Sequence, residues 1–305
     1  MKISVVTTLY NSSAYVEEFH LQVNQLMSRL GLEYELVFVD DGSPDDSLDK
    51  ALQVFEKNKQ VKVVTLMKNY GHHKAIMAGL KESSGEMVFL IDSDLEESPE
   101  LLENFLKVQK ETAADVVYGV QTQRKGNWIE KISGDVFYRI FNALSEQPIP
   151  KNFVTARLMT RQMVECLLGF QERELYLGGI WSLVGGKQVA VPVVKKSTSQ
   201  STYTFRRKVS LFVNAITSFS NKPLIFIFYL GFTISSLAAL AALSMVIRKL
   251  FFGAVQTGWA SLMVSIWFLG GLNIFVLGII GIYLAKVFSE SKQRPFVQVR
   301  KTYHH

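Results

Sequence analysis

The chain has 305 residues, is 48% hydrophobic and 20% charged, and carries a net charge of +6; that length suits one α/β domain with an appendage. The basic surplus is uneven: residues 206–305 hold 11 Lys and Arg against one Glu, whereas residues 1–205 hold 22 against 26 Asp and Glu. This pattern suits anionic lipid headgroups and argues against nucleic acid, because the first 205 residues show no basic stripe interleaved with aromatics. A single cysteine, Cys166, excludes an intrachain disulfide and fits a reducing compartment; within Gln-Met-Val-Glu-Cys-Leu-Leu it is expected in the core.

In chain order, the β-branched run 2–9 predicts a strand, residues 10–13 a turn, and residues 14–30 a helix stopped by Gly31. A second strand is expected at 34–39, followed by Asp40-Asp41-Gly42-Ser43-Pro44-Asp45-Asp46 and a helix at 47–58. A third strand at 61–67 leads through Asn69-Tyr70-Gly71-His72-His73-Lys74 to a small-residue helix at 75–82. A fourth strand at 87–91 precedes a helix at 99–110, with Ser98 as its N-cap and Pro99 in its first turn. A fifth strand follows at 115–120. Regular alternation with continuously apolar strands predicts a mostly parallel sheet covered by helices on both faces.

Beyond it, residues 128–144 read as an amphipathic helix, 155–159 as a strand and 161–168 as a helix. Residues 178–186 read as a flexible, Trp-containing stretch and 189–194 as the last strand. The polar run 195–202 is a candidate lid or acceptor loop. Residues 209–219 place Leu211, Phe212, Ala215, Ile216 and Phe219 at helical spacing, as in a helix lying on a membrane surface.

Ligands of an open parallel sheet bind beyond the carboxyl ends of its strands. There the fourth strand releases three acids at alternate positions, Asp92, Asp94 and Glu96. Packed like charges repel unless a cation or protons compensate, and a hard divalent ion bridging to phosphates is an economical reason for them. A solvated acidic loop is the other reading of this run alone. There is no Gly-x-Gly-x-x-Gly after the first strand and no Gly-Lys-Ser/Thr loop. A nucleotide would therefore be held by Asp40 and Asp41 at its base or ribose and by the metal at its diphosphate.

Residues 223–247 and 250–285 contain no charged side chain, and about 20 apolar residues cross a bilayer, so two spans are expected. Cations flank the pair at Arg206, Arg207, Lys208 and Lys222 and again at Lys286, Lys292 and Arg294, which puts both ends in the cytoplasm. No apolar run precedes residue 200, so no signal peptide is expected. The expected organisation is a catalytic domain at 1–205, a juxtamembrane amphipathic helix at 206–222, a transmembrane hairpin at 223–285 and a basic cytoplasmic tail at 286–305. A transporter is excluded by the lack of a repeat and of an intramembrane charge.

Asp40-Asp41-Gly42-Ser43, Tyr70-Gly71 with Ala78-Gly79-Leu80, and Asp92-Ser93-Asp94-Leu95-Glu96 with Pro99-Glu100 resemble family 2 glycosyltransferases of the GT-A fold, a Rossmann-like mixed sheet. Phe137-Tyr138-Arg139, Arg157-Leu158-Met159, Ser218-Phe219-Ser220 and the two apolar segments are similar to the polyprenol-phosphate glycosyltransferases within it. The resemblance implies a nucleotide-sugar donor, most often UDP- or GDP-linked, a polyprenyl phosphate acceptor, inversion at the anomeric carbon, and homo-oligomers. It implies Mg²⁺ or Mn²⁺ held by Asp92 and Asp94, with Glu96 where Gln is common. Thr7, Leu9, Tyr10, Asp40, Asp41, Lys74, Asp92 and Ser93 would contact the donor; His72, unusual before its helix, is within expected reach of a donor phosphate. Arg124, Lys131 and Lys196 would meet the acceptor. Asp94, Arg157 and Thr155 would stand nearest the reaction.

The departures fall on the acceptor side. Thr155 replaces an acid, Gln121 stands where Arg is usual, and Lys196 and Ser199 replace Arg and Gly. The alternative to an active enzyme is a silent relative serving as a membrane scaffold. A processive polysaccharide synthase would need a Gln-x-x-Arg-Trp motif and more spans.

Overall fold

A computed structural model describes residues 1–121, 152–173, 175–195, 217, 220–252 and 258–305. The helix expected at 128–144, the run 196–202, nearly all of 209–219, and the acceptor candidates Arg124, Lys131 and Lys196 lie outside the described residues. The chain divides into two compact units, one of residues 1–139, 147–205 and 294–305, the other of residues 140–146 and 206–293.

The first unit opens with β1 (Lys2–Leu9), α1 (Val16–Leu30), β2 (Glu33–Asp40), α2 (Ser47–Lys57), β3 (Val61–Leu66), α3 (His72–Glu82), β4 (Met87–Leu90), α4 (Leu101–Thr112) and β5 (Val116–Gln121). It continues with β6 (Phe153–Thr160), α5 (Arg161–Leu168), α6 (Leu177–Leu183), β7 (Gln188–Val193) and, from the far end of the chain, β8 (Val299–Tyr303). These strands form one sheet in the order β7-β5-β6-β4-β1-β2-β3-β8. β1 pairs in parallel with β2 on one side and β4 on the other, and β6 and β8 run antiparallel to their neighbours. The chain thus leaves β1 in one direction and returns to its other side, so the crevice at the carboxyl ends of β1 and β4 is the topological switch point.

Period-two alternation sorts the strand residues. Ile3, Val5, Leu36, Phe38, Val63 and Phe89 join Phe19 and Val23 of α1, Ala51 of α2 and Phe105 of α4 in one core. Phe19 and Phe38 meet with ring centroids 6.2 Å apart, and burying each such ring stabilises the fold by about 1.5–3 kcal/mol. On the opposite face, α3 lies so close that a Cβ at Gly79 would come within 2.6 Å of Val6 and 2.8 Å of Val39. The missing side chain is what lets α3 approach and carry His72 to the strand ends. α1 ends as its sequence predicts: Gly31 sits at φ +62°, and the Leu32 amide returns to the Met27 carbonyl at 3.2 Å.

Several expectations change. Ser98 caps no helix: α4 starts at Leu101, and the Ser98 hydroxyl accepts the Glu100 amide one turn earlier. The expected flexible stretch 178–186 contains most of α6, with Leu177, Ile180 and Trp181 buried, because Trp181 packs edge-on against Phe153. Cys166 is exposed, since α5 turns Met163, Val164 and Leu167 inward instead. The expected basic tail is in part β8, which pairs with the edge strand β3. Tyr303 and His305 there flank Phe55 of α2, with centroids at 6.1 and 4.2 Å.

The second unit contains α7 (Lys222–Phe252) and α8 (Trp259–Ser291). Among the described residues one segment, Ser265–Ser291, is long and apolar enough to cross a membrane. At 1.5 Å per residue it is about 40 Å long, more than a bilayer core needs. Lys222–Ala238 is a shorter apolar stretch, so one candidate span replaces the expected two. Trp267, Phe268, Ile274 and Phe275 are exposed on α8, and the Tyr283 hydroxyl donates to the Ser220 carbonyl at 2.7 Å.

Candidate functional site

The acidic loop begins where the β4 ladder stops. Ser93, buried, donates its hydroxyl to the Thr8 carbonyl at 3.0 Å and lies 3.3 Å from the Ser12 hydroxyl. That joins the β4 end to the β1 end across the crevice. Asp94 Oδ1 accepts the Glu96 amide at 3.0 Å. Between them Leu95 sits at φ +58°, a left-handed conformation that costs a branched residue about 1–2 kcal/mol. Packing of Leu95 against the core and the Asp94 bond offset that cost. The tight turn brings Asp92, Asp94, Glu96 and Glu97 into one electrostatic cluster.

Burial, followed by the charges of Asp92 and Glu96, raises the Asp94 carboxyl above its ordinary range. Burial and the Asp92 charge push Glu97 up to about 7. Glu97 is 1% exposed. Its Oε2 accepts the Ala156 amide of β6 at 3.0 Å, just beyond the last β4–β6 ladder pair, Leu90–Arg157. Its Oε1 is buried without a hydrogen-bond partner among the described residues. Among the described residues Lys195, two residues past β7, is ion-paired with this cluster, its Nζ 2.9 Å from Glu96 Oε2 and 3.7 Å from Glu97 Oε1. Burial opposes the Lys195 charge, but Glu96, Glu97 and Asp92 outweigh it and raise its pKa.

The head of α3 closes the crevice from the other side. Helix α3 begins at His72 rather than at residue 75. Its start is held by Asp41, whose two oxygens accept the amides of Tyr70 and Gly71 at 2.7 and 2.9 Å. His72 Nδ1 lies 3.0 Å from Thr8 Oγ1, and its Nε2 3.4 Å from Asp92 Oδ1. Asp40 Oδ1 accepts the Ser43 amide at 3.1 Å, and burial raises its carboxyl above the usual range. Lys74 turns elsewhere, with its ammonium 5.6 Å from the ring centroid of Phe296.

The sequence-derived candidates thus separate. Asp92, Ser93, Asp94, Glu96 and His72 come together. Thr7 and Leu9 are fully buried and share strand parity with Ile3 and Val5, so from β1 it is Thr8 that meets His72. Tyr10 is about half exposed at the strand end. Arg157 is 2% exposed: its guanidinium stacks on Trp181 and donates to the carbonyls of Thr155 and Val154 at 3.1 and 3.2 Å. Burial pulls its pKa down while Glu97, Tyr118 and Asp92 hold it up. Glu97, Lys195 and Thr8 went unnoticed in the sequence. The signal for each was adjacency: a second Glu beside Glu96, a Lys beside Lys196, a Thr beside Thr7.

The donor set suits a hard divalent ion, because Asp92, Asp94 and Glu96 release carboxylate oxygens, hard donors of one sign of charge, together at a strand end. Among the described residues no three His, Cys, Asp or Glu converge as a ready-made cage.

A model of the glycosyl transferase family 2 domain matches residues 4–168. The chain is 46% identical over 303 residues to a Mycobacterium tuberculosis protein named among putative glycosyltransferases, covering 99% of this chain and 89% of that one. It is 33% identical to the bactoprenol glucosyl transferase of Shigella phage SfV, covering 97% of each. In fold it is similar to the mannosyltransferase PcManGT of Pyrobaculum calidifontis, solved with GDP-Man and Mn²⁺, with a TM-score of 0.50, 17% identity, and coverage of 95% of this chain and 87% of that one. The acidic loop at the β1/β4 switch point lies within the matched residues, and the chain belongs to glycosyltransferase family 2, a family of transferase enzymes.

Proposed function

We propose that this enzyme transfers a glycosyl group from a nucleotide-sugar, UDP-linked in the simplest case, to a polyprenyl phosphate at the cytoplasmic face of the membrane, with inversion at the anomeric carbon. The observation that carries the proposal is 33% identity over nearly the full length of the phage bactoprenol glucosyl transferase, together with the Asp92–Glu97 cluster at the switch point. The apolar Ser265–Ser291 helix supports an acceptor delivered from a bilayer. We extend the reading to a homo-oligomer and to a product that feeds glycan modification in the cell envelope.

Asp92 and Asp94, with Glu96 beside them, would hold Mg²⁺ or Mn²⁺. Such an ion supplies charge stabilisation to the departing diphosphate. The chain's own groups do the rest. Asp40, buried at the β2 end, and half-exposed Tyr10 beyond β1 are the candidates for the base and ribose. His72, 3.0 Å from Thr8, flanks the diphosphate side. The acceptor phosphate is already anionic, so it needs orientation more than deprotonation, and catalysis falls on positioning and electrostatics.

The test incubates membranes containing the enzyme with UDP-, GDP- and dTDP-sugars and undecaprenyl phosphate, with and without EDTA. Label should move from one donor into a chloroform-soluble lipid, and EDTA should abolish that transfer. Absence of lipid-linked sugar from every donor overturns the proposal. Unchanged transfer by Asp94→Ala overturns the metal assignment.

A further inference from the structure

Among the described residues Lys195 is the cation that faces the acidic loop at closest range. It stands at 2.9 Å from Glu96 Oε2 and 3.7 Å from Glu97 Oε1. Its backbone is set by β7, which pairs in parallel with β5 through Gln121–Val193. Its two partners are 9% and 1% exposed in their side chains, so the pairing is shielded from solvent and salt. Glu97 Oε1, buried and without a hydrogen bond among the described residues, stands 3.7 Å from Lys195 Nζ and is an unused acceptor within the ammonium's reach. Glu96 is also a candidate ligand of the divalent ion. One carboxylate therefore serves two cations, the tethered one and the diffusing one.

We infer that Lys195 is a donor-site residue that competes with the divalent ion for the Glu96 and Glu97 carboxylates and passes to the donor's diphosphate once the ion is bound. The inference rests on the donor-site reading above. Its logic is that of linkage: whatever favours the Lys195–Glu96 pair opposes the metal, and the metal opposes the pair by the same factor. The diphosphate reverses the sign, because it offers new anionic oxygens to the released ammonium. The ion alone would then bind weakly, and ion and nucleoside diphosphate would bind strongly together.

The experiment measures Mn²⁺ binding to the full-length protein in detergent by the electron paramagnetic resonance signal of free Mn²⁺, first without nucleotide. Lys195→Met should bind Mn²⁺ about tenfold more tightly than the unmodified protein, the scale of one partly buried unit charge removed nearby. With saturating Mn²⁺, the same variant should bind UDP or GDP at least about threefold more weakly, as befits a lost charge-assisted hydrogen bond. Lys195→Arg keeps the charge and should stay close to the unmodified protein in both. Lys195→Gln, which still donates to Glu96, replaces the Met variant if the latter does not fold. Mn²⁺ binding that is unchanged or weaker in the neutral variants, while Asp94→Asn abolishes it, overturns the inference and leaves the metal assignment standing. Unchanged nucleotide binding overturns the transfer to the diphosphate. No Mn²⁺ binding by any form overturns the donor-site reading and the inference together.

Discussion

His72 and Asp92 face each other across the switch point, Nε2 to Oδ1 at 3.4 Å, while the other ring nitrogen stands 3.0 Å from Thr8 Oγ1. The histidine thus touches both strands that part there. His72→Ala should raise the KM for the nucleotide-sugar about tenfold, the scale of one lost hydrogen bond to a charged group. Steady-state transfer assays checked against thermal unfolding measure it. An unchanged KM removes His72 from the donor site.

Arg157 and Glu97 form a buried electrostatic couple. Leaving one buried charge uncompensated costs about 3–5 kcal/mol, so Arg157→Met should be strongly destabilising. Glu97→Gln should lose less, since its amide oxygen can still accept the Ala156 amide. The double variant should recover at least about 1 kcal/mol over the sum of the singles. Thermal unfolding of all four proteins in detergent checks this, and strict additivity would refute the coupling.

Glu35 lies at the opposite end of the sheet and is 7% exposed. It accepts from the Ser4 hydroxyl and the Ser84 amide, each at 2.5 Å, and from the Ser84 hydroxyl at 2.9 Å. Burial opposes its ionisation, but the Ser4 and Ser84 bonds and the Lys62 charge outweigh that and hold its carboxyl below the ordinary range of a glutamate. In that window the unfolded chain binds more protons than the folded one, so stability falls as pH falls. The contribution is whole above about pH 4.5 and disappears as pH drops through the lower folded value. Glu35→Gln should be less stable at pH 7 by about 1–2 kcal/mol, and its melting temperature should fall less on acidification. Parallel acid dependence in the two proteins would contradict the assignment.

Removing residues 294–305 strips β8 from β3 and Tyr303 and His305 from Phe55. A bare edge strand is a template for association. The truncated protein should lose several degrees of melting temperature and form high-mass species on size exclusion, with the Phe55→Ala variant intermediate. A monodisperse, equally stable truncation would show that β8 is dispensable.

Much of this was legible in the sequence. The βα alternation through residue 121 follows from apolar strands of parallel-sheet type and from stops such as Gly31, and element ends moved by three residues or fewer. The acids 92, 94 and 96 were visible because alternate positions beyond a strand end put like charges close together. Less legible were features that depend on partners distant in sequence. Lys195 and Glu97 meet across 98 positions, and Arg157 is hidden only because α6 brings Trp181 over it.

By itself, the sequence determined the parallel strands, the switch-point acids and the apolar C-terminal helix, because each is written in local periodicity and composition. The tertiary structure decided which of two neighbouring residues does the work. Strand parity turned Thr8 rather than Thr7 to the crevice. The end of β7 sent Lys195 into the acid cluster. The open edge of β3 took up the chain's last residues as a strand, since unpaired backbone amides and carbonyls need partners that no local reading supplies.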